Sequence, residues 1–435
     1  MTDPDNRMKN SPFPVIEYSL QQARVAIAAQ ICPLEPEKIP VFQALGHITA
    51  EPIYAVRPKP FYSQSTRDGF ALAARPAAEN AAFAEFQVIG EIPAGCTEHR
   101  QVQAGQAYRI MTGAMIPSGC VRVVPFEVCR EKGGSVLIPT AELSRHGGYI
   151  RQQGRDIREG QLLVAAGIRL QPDHLLLLAE NGAQEIMVSR QPGVAVICTG
   201  SELVRSEGAL QPGRKISGNE ILLSSLLEVR GCHCLRTAAV EDETKTAVRL
   251  IEDILGRDTP DMLLTTGGMG PGKFDLMEQV VARLGGKPVY TRLAVRPGKS
   301  TLFAMIGTTP LFALPGPPPA VRLLFHELVM PGLQRLQGLP EEEVFSESLA
   351  DAVLTAPVRF RRNTPLSLKG AMAELRKGRL QVRPAEQGEP ANAILHLDCA
   401  GKEDGGYAAL EKGQQVRIRL VGPLFGAACA FCCSC

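Results

Sequence analysis

The chain has 435 residues, of which 45% are hydrophobic and 21% charged, and its formal net charge is +2. That is room for roughly two to four globular domains, and the near-neutral balance gives no electrostatic case for a nucleic-acid partner. No apolar run is long enough to span a bilayer without a charge or a break, and the polar N-terminus MTDPDNRMKNSPFP lacks the apolar stretch of a secretory signal, so a cytoplasmic location without membrane association is expected. Trp is absent, while Gly (42) and Pro (33) are numerous, which predicts many tight turns between short elements.

In chain order, IEYSLQQARVAIAAQI reads as a helix, and VFQALGHITAEPIYA as a helix running into a strand that ends near Pro58. Residues 58–150 change texture. Short alternating runs (FQVIGEI, QAYRIM, VRVVPFE, SVLIP) separated by Gly and Pro predict a β-rich module with no long helix. Residues 151–190 return to mixed structure, with the helix DHLLLLAENG capped at Gly182 and the strand EIMVSR. The β module thus reads as an insertion between 15–57 and 151–190, which together form an elongated N-terminal domain. Residues 191–338 alternate apolar strands (VAVICTG, HCLRTAAV, DMLLTTGG, LFALPG) with amphipathic helices (EILLSSLLEVRG, ETKTAVRLIEDILG, DLMEQVVARLG, VRLLFHELVMPGLQRL), the pattern of a parallel α/β sheet covered on both faces. Short strands return over 339–422 as a small C-terminal β domain. The expected class is therefore a multidomain α/β protein.

Residues 423–435 are a tail with Cys429, Cys432, Cys433 and Cys435. It has no ordinary zinc spacing, and structural, redox and metal roles all stay open for it. The scattered Cys32, Cys96, Cys120, Cys129, Cys198 and Cys399 read as reduced thiols, and Cys232 and Cys234 form a C-x-C pair.

In an open parallel α/β sheet, ligands bind beyond the carboxyl ends of the strands. Three loops fall there: TGSEL (199–203), TGGMGPGKFD (266–275) and LPGPPPA (314–320). In the second, Gly267, Gly268, Gly270 and Gly272 would let backbone N–H groups approach an anion, with Lys273 adding charge and Asp275 opening the next helix; the bland alternative is a tight turn with a capping Asp. RPGKS places Arg296 and Lys299 on a Pro-Gly corner, either as anion ligands or as a solvated turn. Outside this block, Asp68 in STRDGFAL and Thr112 in RIMTGAMIP each sit beside a glycine, and Arg151, Arg155 and Arg158 surround Gly154. Alone, these read as turns and surface charge.

In order and together, STRDGFAL, GEIPAG, RIMTGAMIP, GRDIREG, VAVICTGSELV, ISGNEILL, TTGGMGPGKFD, RPGKS and LPGPPPA resemble the molybdopterin molybdenumtransferase family, MoeA in bacteria and the E domain of gephyrin in animals, over about residues 15–420. The resemblance implies four domains, with a central molybdopterin-binding α/β domain, and a homodimer whose cleft is shared between subunits. It implies that adenylylated molybdopterin and molybdate yield molybdenum-molybdopterin and AMP with the help of Mg²⁺. By position, Asp68, Thr112, Glu202, Asp242 and Asp275 match functional acidic and hydroxyl residues, and Glu202 and Asp275 are the candidate Mg²⁺ ligands. Gly267, Gly268, Gly270, Ser217, Asn219, Arg151, Arg296, Lys299, Pro315 and Gly316 match substrate-binding positions. The implied partners are a second copy of the chain, a molybdopterin adenylyltransferase and molybdoenzyme maturation proteins.

The sequence departs from the family at Arg67 (usually hydrophobic), Arg155 (usually Glu), Arg296 (usually Lys) and Pro317 (usually Asn). Proline offers neither a side-chain amide nor an N–H at that last position. Two other readings compete with the transferase. One is a non-catalytic pterin-binding carrier or regulator of the same fold; the other is a nucleotide-pyrophosphate hydrolase sharing only the α/β domain.

Overall fold

The computed structural model describes residues 11–74, 81–144, 148–204, 207–269, 276–345, 349–361, 365–398 and 406–424. The chain divides into two compact units. One comprises residues 1–37, 46–50 and 188–435, and the other comprises 38–45 and 51–187.

In the first unit the leading helix is α1 (Leu20–Gln30). It begins later than the apolar pattern, because the Ser19 side chain accepts from the Gln22 N–H while the Gln22 side chain accepts from the Ser19 N–H. This reciprocal cap fixes the first turn. The central sheet holds β1 (Gly193–Thr199), β2 (His233–Val240), β3 (Met262–Thr266), β4 (Lys287–Tyr290), β5 (Leu302–Ile306) and β6 (Thr309–Leu314), in the order β2-β1-β3-β6-β5-β4. The first four of that order are mutually parallel. Strand β5 runs against them and β4, antiparallel to β5, runs with them, so the sheet is mixed and not wholly parallel as the alternation predicts. The cause is local: β5 and β6 are joined through Gly307–Thr308, with Ile306 paired to Thr309. A connection that short joins only antiparallel strands.

Side chains alternate across the sheet with period two. Val194, Val196, Met262, Leu264 and Phe312 face one core with Leu223, Leu227 and Ile27. Ala195, Ile197, Leu263, Leu311 and Ala313 face the other with Ile251, Ile254, Val280 and Val281. Helix α2 (Asn219–Val229) thus covers the first face, and α3 (Thr244–Arg257) and α4 (Leu276–Arg283) cover the second. On the first face α5 (Pro318–Leu324) runs through a π-helical stretch, Phe325–Val329, into α6 (Met330–Leu336).

The C-terminal strands β7 (Ala350–Leu354), β8 (Leu366–Arg376), β9 (Arg379–Pro384), β10 (Ala393–Asp398) and β11 (Gln415–Leu420) close on themselves through β8–β10 pairing. The resulting barrel is filled by Leu354, Ala371, Val382, Leu395, Leu397 and Ile418. Strand β10 was not foreseen. Where the barrel meets the helices, Glu327 on the π-helical stretch is wholly buried. Its carboxylate pairs with Arg24, accepts from Arg419 Nε at 3.1 Å and lies 2.8 Å from His396 Nε2. Burial alone would raise its pKa, but the His396 hydrogen bond and the charges of Arg24 and Arg419 hold it well below the usual carboxylate range.

The second unit is built on a six-stranded sheet ordered Cys120–Pro125, Gly69–Ala73, Gln106–Ile110, Phe83–Ile92, Ser135–Pro139, Arg130–Lys132. Phe70, Leu72, Phe86, Val136 and Ile138 pack on one face and Ala71, Ile92, Tyr108 and Ile110 on the other. The helix Pro172–Glu180 ends at Asn181, and Gly182 takes φ +86°, the expected cap. The helix expected from VFQALG is only a 3-10 turn, Val41–Gln43. Val41 and Ala44 are buried, but Phe42 and Leu45 are exposed, so the segment buries too narrow a face to hold a longer helix. No helix among the described residues is long and apolar enough to cross a membrane.

Candidate functional site

Parallel register aligns the ends of the central strands: Thr199 with Val240, Cys198 with Thr266, and Thr266 with Leu314. Because β5 is antiparallel to β6, with Leu302 opposite Ala313, the amino end of β5 lies at the same edge. One edge therefore gathers Gly200–Glu202, Asp242, Gly267–Gly268, Pro315–Gly316 and the RPGKS corner. Gly270, Gly272, Lys273 and Asp275, which carried the sharpest of the sequence readings, lie outside the described residues.

The glycine pair has a structural cause. Gly267 and Gly268 take φ +89° and +63°, which only glycine adopts readily. A β-carbon on Gly267 would overlap the Thr199 carbonyl oxygen, and one on Gly268 would lie 2.9 Å from Thr199 Oγ1. The turn is closed by the Gly267 N–H donating to the Leu314 carbonyl at 3.1 Å. Close packing of the chain on itself thus accounts for both residues without a ligand.

The polar atoms beside this turn lack such an account. Asn219 Nδ2 donates to the Gly316 carbonyl at 2.8 Å and to Thr266 Oγ1 at 3.2 Å, and Thr266 Oγ1 donates to Cys198 Sγ at 3.3 Å. These bonds tie the start of α2 to the ends of β3 and β6. They also fix the amide, so that Asn219 Oδ1 points elsewhere. Asn219 Oδ1, Ser217 Oγ and Thr199 Oγ1 are buried with no hydrogen-bond partner among the described residues, a condition that costs about 1–3 kcal/mol per group. Ser217 and Asn219 were expected here. Thr199 and Thr266 open two of the loops that the sequence places at this edge, though nothing in the sequence singles out their hydroxyls, and Cys198 reads there as an ordinary strand residue.

Two carboxylates stand on adjacent loops. Glu202 is exposed, and Oε2 lies 2.8 Å from where a β-carbon on Gly200 would sit. Asp242, also exposed, is held by its N–H donating to Ser201 Oγ at 3.3 Å, while Arg214 donates to the Ser201 carbonyl. Ser201 therefore joins the two loops. Among the described residues no group of three or more His, Cys, Asp and Glu could hold a metal ion. Glu202 and Asp242 offer only hard oxygen donors, the type that Mg²⁺ accepts alongside water.

Arg296 and Lys299 are exposed and have no ion-pair partner among the described residues. Their corner is rigid. Val295–Arg296 pairs with Leu366–Ser367, the Lys299 carbonyl accepts from Leu293 N at 3.1 Å, and Thr301 Oγ1 donates to the Gly298 carbonyl at 2.7 Å. Pro315 and Gly316 form the neighbouring loop. Pro317 at φ −64° precedes α5, and its carbonyl accepts from Ala320 and Val321. The first helical position, where proline is favoured, is Pro318, while Pro317 at the N-cap makes no side-chain cap and supplies no amide to a ligand.

Asp68, Thr112 and Arg151 belong to the second unit. Asp68 Oδ1 accepts from the Thr112 N–H at 2.7 Å and from its hydroxyl at 2.8 Å. These bonds lower the Asp68 pKa, the backbone bond most. Arg151 lies opposite Gln64 and pairs bidentately with Asp156, at 2.7 and 3.2 Å, so its charge is already met locally.

A mixed α/β sheet whose carboxyl edge carries carboxylates, exposed cations and buried polar atoms without partners among the described residues has the make-up of an anion-binding α/β protein. Residues 195–335 match the family described as probable molybdopterin binding domain, and residues 18–182 match the MoeA N-terminal region, domains I and II. The chain is 29% identical over 409 residues to the molybdopterin molybdenumtransferase of Staphylococcus epidermidis, covering 92% of this chain and 95% of that one. It is 29% identical to that of Bacillus subtilis, covering 89% and 90%. A molybdopterin biosynthesis MoeA protein from Pyrococcus horikoshii superposes with a TM-score of 0.77 at 26% identity, over 94% of this chain and 100% of the other. The chain belongs to the MoeA-type molybdopterin molybdenumtransferase family of molybdenum cofactor biosynthesis.

Proposed function

We propose that this chain inserts molybdenum into molybdopterin, converting adenylylated molybdopterin and molybdate to molybdenum-molybdopterin and AMP. The observation that carries this reading is the concurrence, at one sheet edge, of two cations (Arg296, Lys299) with no ion-pair partner and buried polar atoms (Thr199, Ser217, Asn219) with no hydrogen-bond partner among the described residues. Lys299 and Arg296 hold the anionic part of the substrates. Asn219, oriented by Gly316 and Thr266, presents its carbonyl oxygen to a donor on the heterocycle. Glu202 and Asp275 would hold Mg²⁺ with water molecules, and the ion, when bound, supplies neutralisation of phosphate charge and polarisation of the pyrophosphate. Asp68 stays ionised because Thr112 donates to it twice.

The working form in this proposal is a homodimer in which Asp68 of one protomer serves the sheet edge of its partner. A cytoplasmic location is supported by Cys32, Cys96, Cys120, Cys129, Cys198, Cys232 and Cys234, all unbridged, as in a reducing compartment. The carrier reading is not favoured: the relatives bear a transferase name, and Asp68, Glu202 and Asp242 keep their carboxylates.

The test is AMP release from adenylylated molybdopterin with molybdate and Mg²⁺. Asp275→Asn and Glu202→Gln are each expected to slow it by at least about 100-fold with an unchanged circular dichroism spectrum. Wild-type rates in both would remove the site from this edge. Mixed Asp68→Ala and Asp275→Ala protomers should regain activity through heterodimers with one intact site. A mixture as inactive as its parents, with exchange confirmed, would count against the shared site.

A further inference from the structure

Arg230 and Arg322 are half-buried arginines that no carboxylate meets among the described residues. Arg230 follows the carboxyl end of α2, and its Nη2 donates to the Val421 carbonyl at 3.4 Å. Arg322 lies on α5, and its Nη2 donates to the Ala391 carbonyl. The Val421 N–H in turn donates to the Asn392 carbonyl at 2.9 Å, and Leu420 pairs with Ala393. The two acceptor carbonyls therefore belong to one end of the β10–β11 ladder, whose strands run about 4.8 Å apart. Each guanidinium carries five N–H donors, and the described residues accept one from each.

The charges near them do not supply a counter-ion. Glu327 is engaged by Arg24, Arg419 and His396. The buried His326 ring is pushed down to about 3, by burial first and then by the fields of Arg230 and Arg322, and so is neutral at pH 7. Burial also depresses both arginines below their ordinary value. A partly desolvated cation without an opposite charge is a costly arrangement. Two guanidinium forks, each able to grip two oxygens, match a tetrahedral dianion in charge. Helix α2 has 11 residues, about 16 Å at 1.5 Å per residue. That length separates Arg230 from Asn219 and the carboxyl edge.

We propose that Arg230 and Arg322 form a second anion site, at the junction of α2, α5 and the barrel, which takes a phosphate dianion. The test is thermal unfolding of the full chain titrated with inorganic phosphate, with sodium chloride holding ionic strength constant. A saturable rise in Tm is expected, as for any ligand that binds only the folded state. The Arg230→Gln/Arg322→Gln double variant should raise the phosphate midpoint at least about tenfold and leave the rate of AMP release unchanged. Lys299→Ala, on the RPGKS corner of the sheet's carboxyl edge, should leave the midpoint of this rise where it is. Should the double variant fail to fold, Arg230→Lys and Arg322→Lys keep the charge but lose the fork, and each should still raise the midpoint severalfold. Glycerol 2-phosphate in a parallel titration separates a phosphomonoester from the free ion, and arginine-dependent binding of either supports the site. A rise matched by chloride alone, no rise at all, or an unchanged midpoint in the arginine variants overturns the proposal.

Discussion

The carboxylate of Glu327, wholly buried, is engaged by Arg24, Arg419 and His396. Within the same unit, the buried Thr199 and Ser217 hydroxyls and the Asn219 carbonyl oxygen meet no partner among the described residues. Both clusters are polar groups removed from water, and both gather residues from distant parts of the chain. They differ in what supplies the compensating contacts. Around Glu327 the fold supplies them, so the cluster clamps α1 and the barrel to the π-helical stretch. At the sheet edge the fold stops short, and a bound molecule with hydrogen-bonding groups would complete the set. The contrast separates polar groups that hold the structure from polar groups held ready for use.

Four substitutions break or sharpen that contrast. The largest effect is expected for Glu327→Gln, which leaves Arg24 and Arg419 without their counter-charge. It should cost about 3–5 kcal/mol in urea unfolding, and a loss under about 1 kcal/mol would show the cluster to be incidental. The Glu327 pKa is depressed in the folded state, so its stabilisation is present above the unfolded value of about 4.3 and is lost as pH falls through the lower folded value. Wild type should therefore weaken as the medium is acidified below about pH 5, and the variant should show a shallower slope there.

Next comes Gly267→Ala, whose β-carbon would strike the Thr199 carbonyl at a φ of +89°. A loss of about 1–3 kcal/mol is expected, with slowed AMP release because Thr199 must move; wild-type stability and rate together would contradict the packing account. Lys299→Ala should raise the molybdate concentration for half-maximal rate by about tenfold, the lower end for a charge-assisted contact, since Lys299 is exposed. Anion dependence unchanged at low and moderate salt would make RPGKS a solvated turn. The smallest effect belongs to Arg296→Lys, expected within about twofold of wild type because charge is kept at an exposed position; a large loss would show that the planar fork is required.

Much of this architecture was legible in the sequence for identifiable reasons. VAVICT and MLLTT are continuous apolar runs because both faces of β1 and β3 are buried. Gly182 marks a helix end through capping chemistry that operates within a few residues, while the equally local Ser19–Gln22 cap was missed because the apolar pattern of IEYSLQQARVAIAAQI runs past it. What else stayed hidden depends on distance along the chain. Glu327 reads as one more polar position on an amphipathic helix, and its partners Arg24 and His396 lie 303 and 69 residues away. Thr199 and Thr266 open the loops TGSEL and TGGMGPGKFD, but only the parallel register reveals that Thr266 bonds Cys198 on one face while Thr199 turns to the other. Strand β5 was obscured because LFAMI follows directly on the RPGKS motif, so the reversal of sheet direction gave no local signal.

That reversal bears on where the protein can be altered. Gly307 and Thr308 are exposed at a tight turn, the sort of place usually chosen for a tag or an inserted loop. Yet the turn fixes how β5 lies against β6, and β5, about 17 Å long at 3.3 Å per residue, leads back to within three residues of Lys299. An added residue that slipped the pairing by one would turn every β5 side chain to the opposite face and draw the RPGKS corner off the edge. Exposure and remoteness would therefore mislead an engineer here, because the turn behaves as a setting screw for the cations at the far end of the strand.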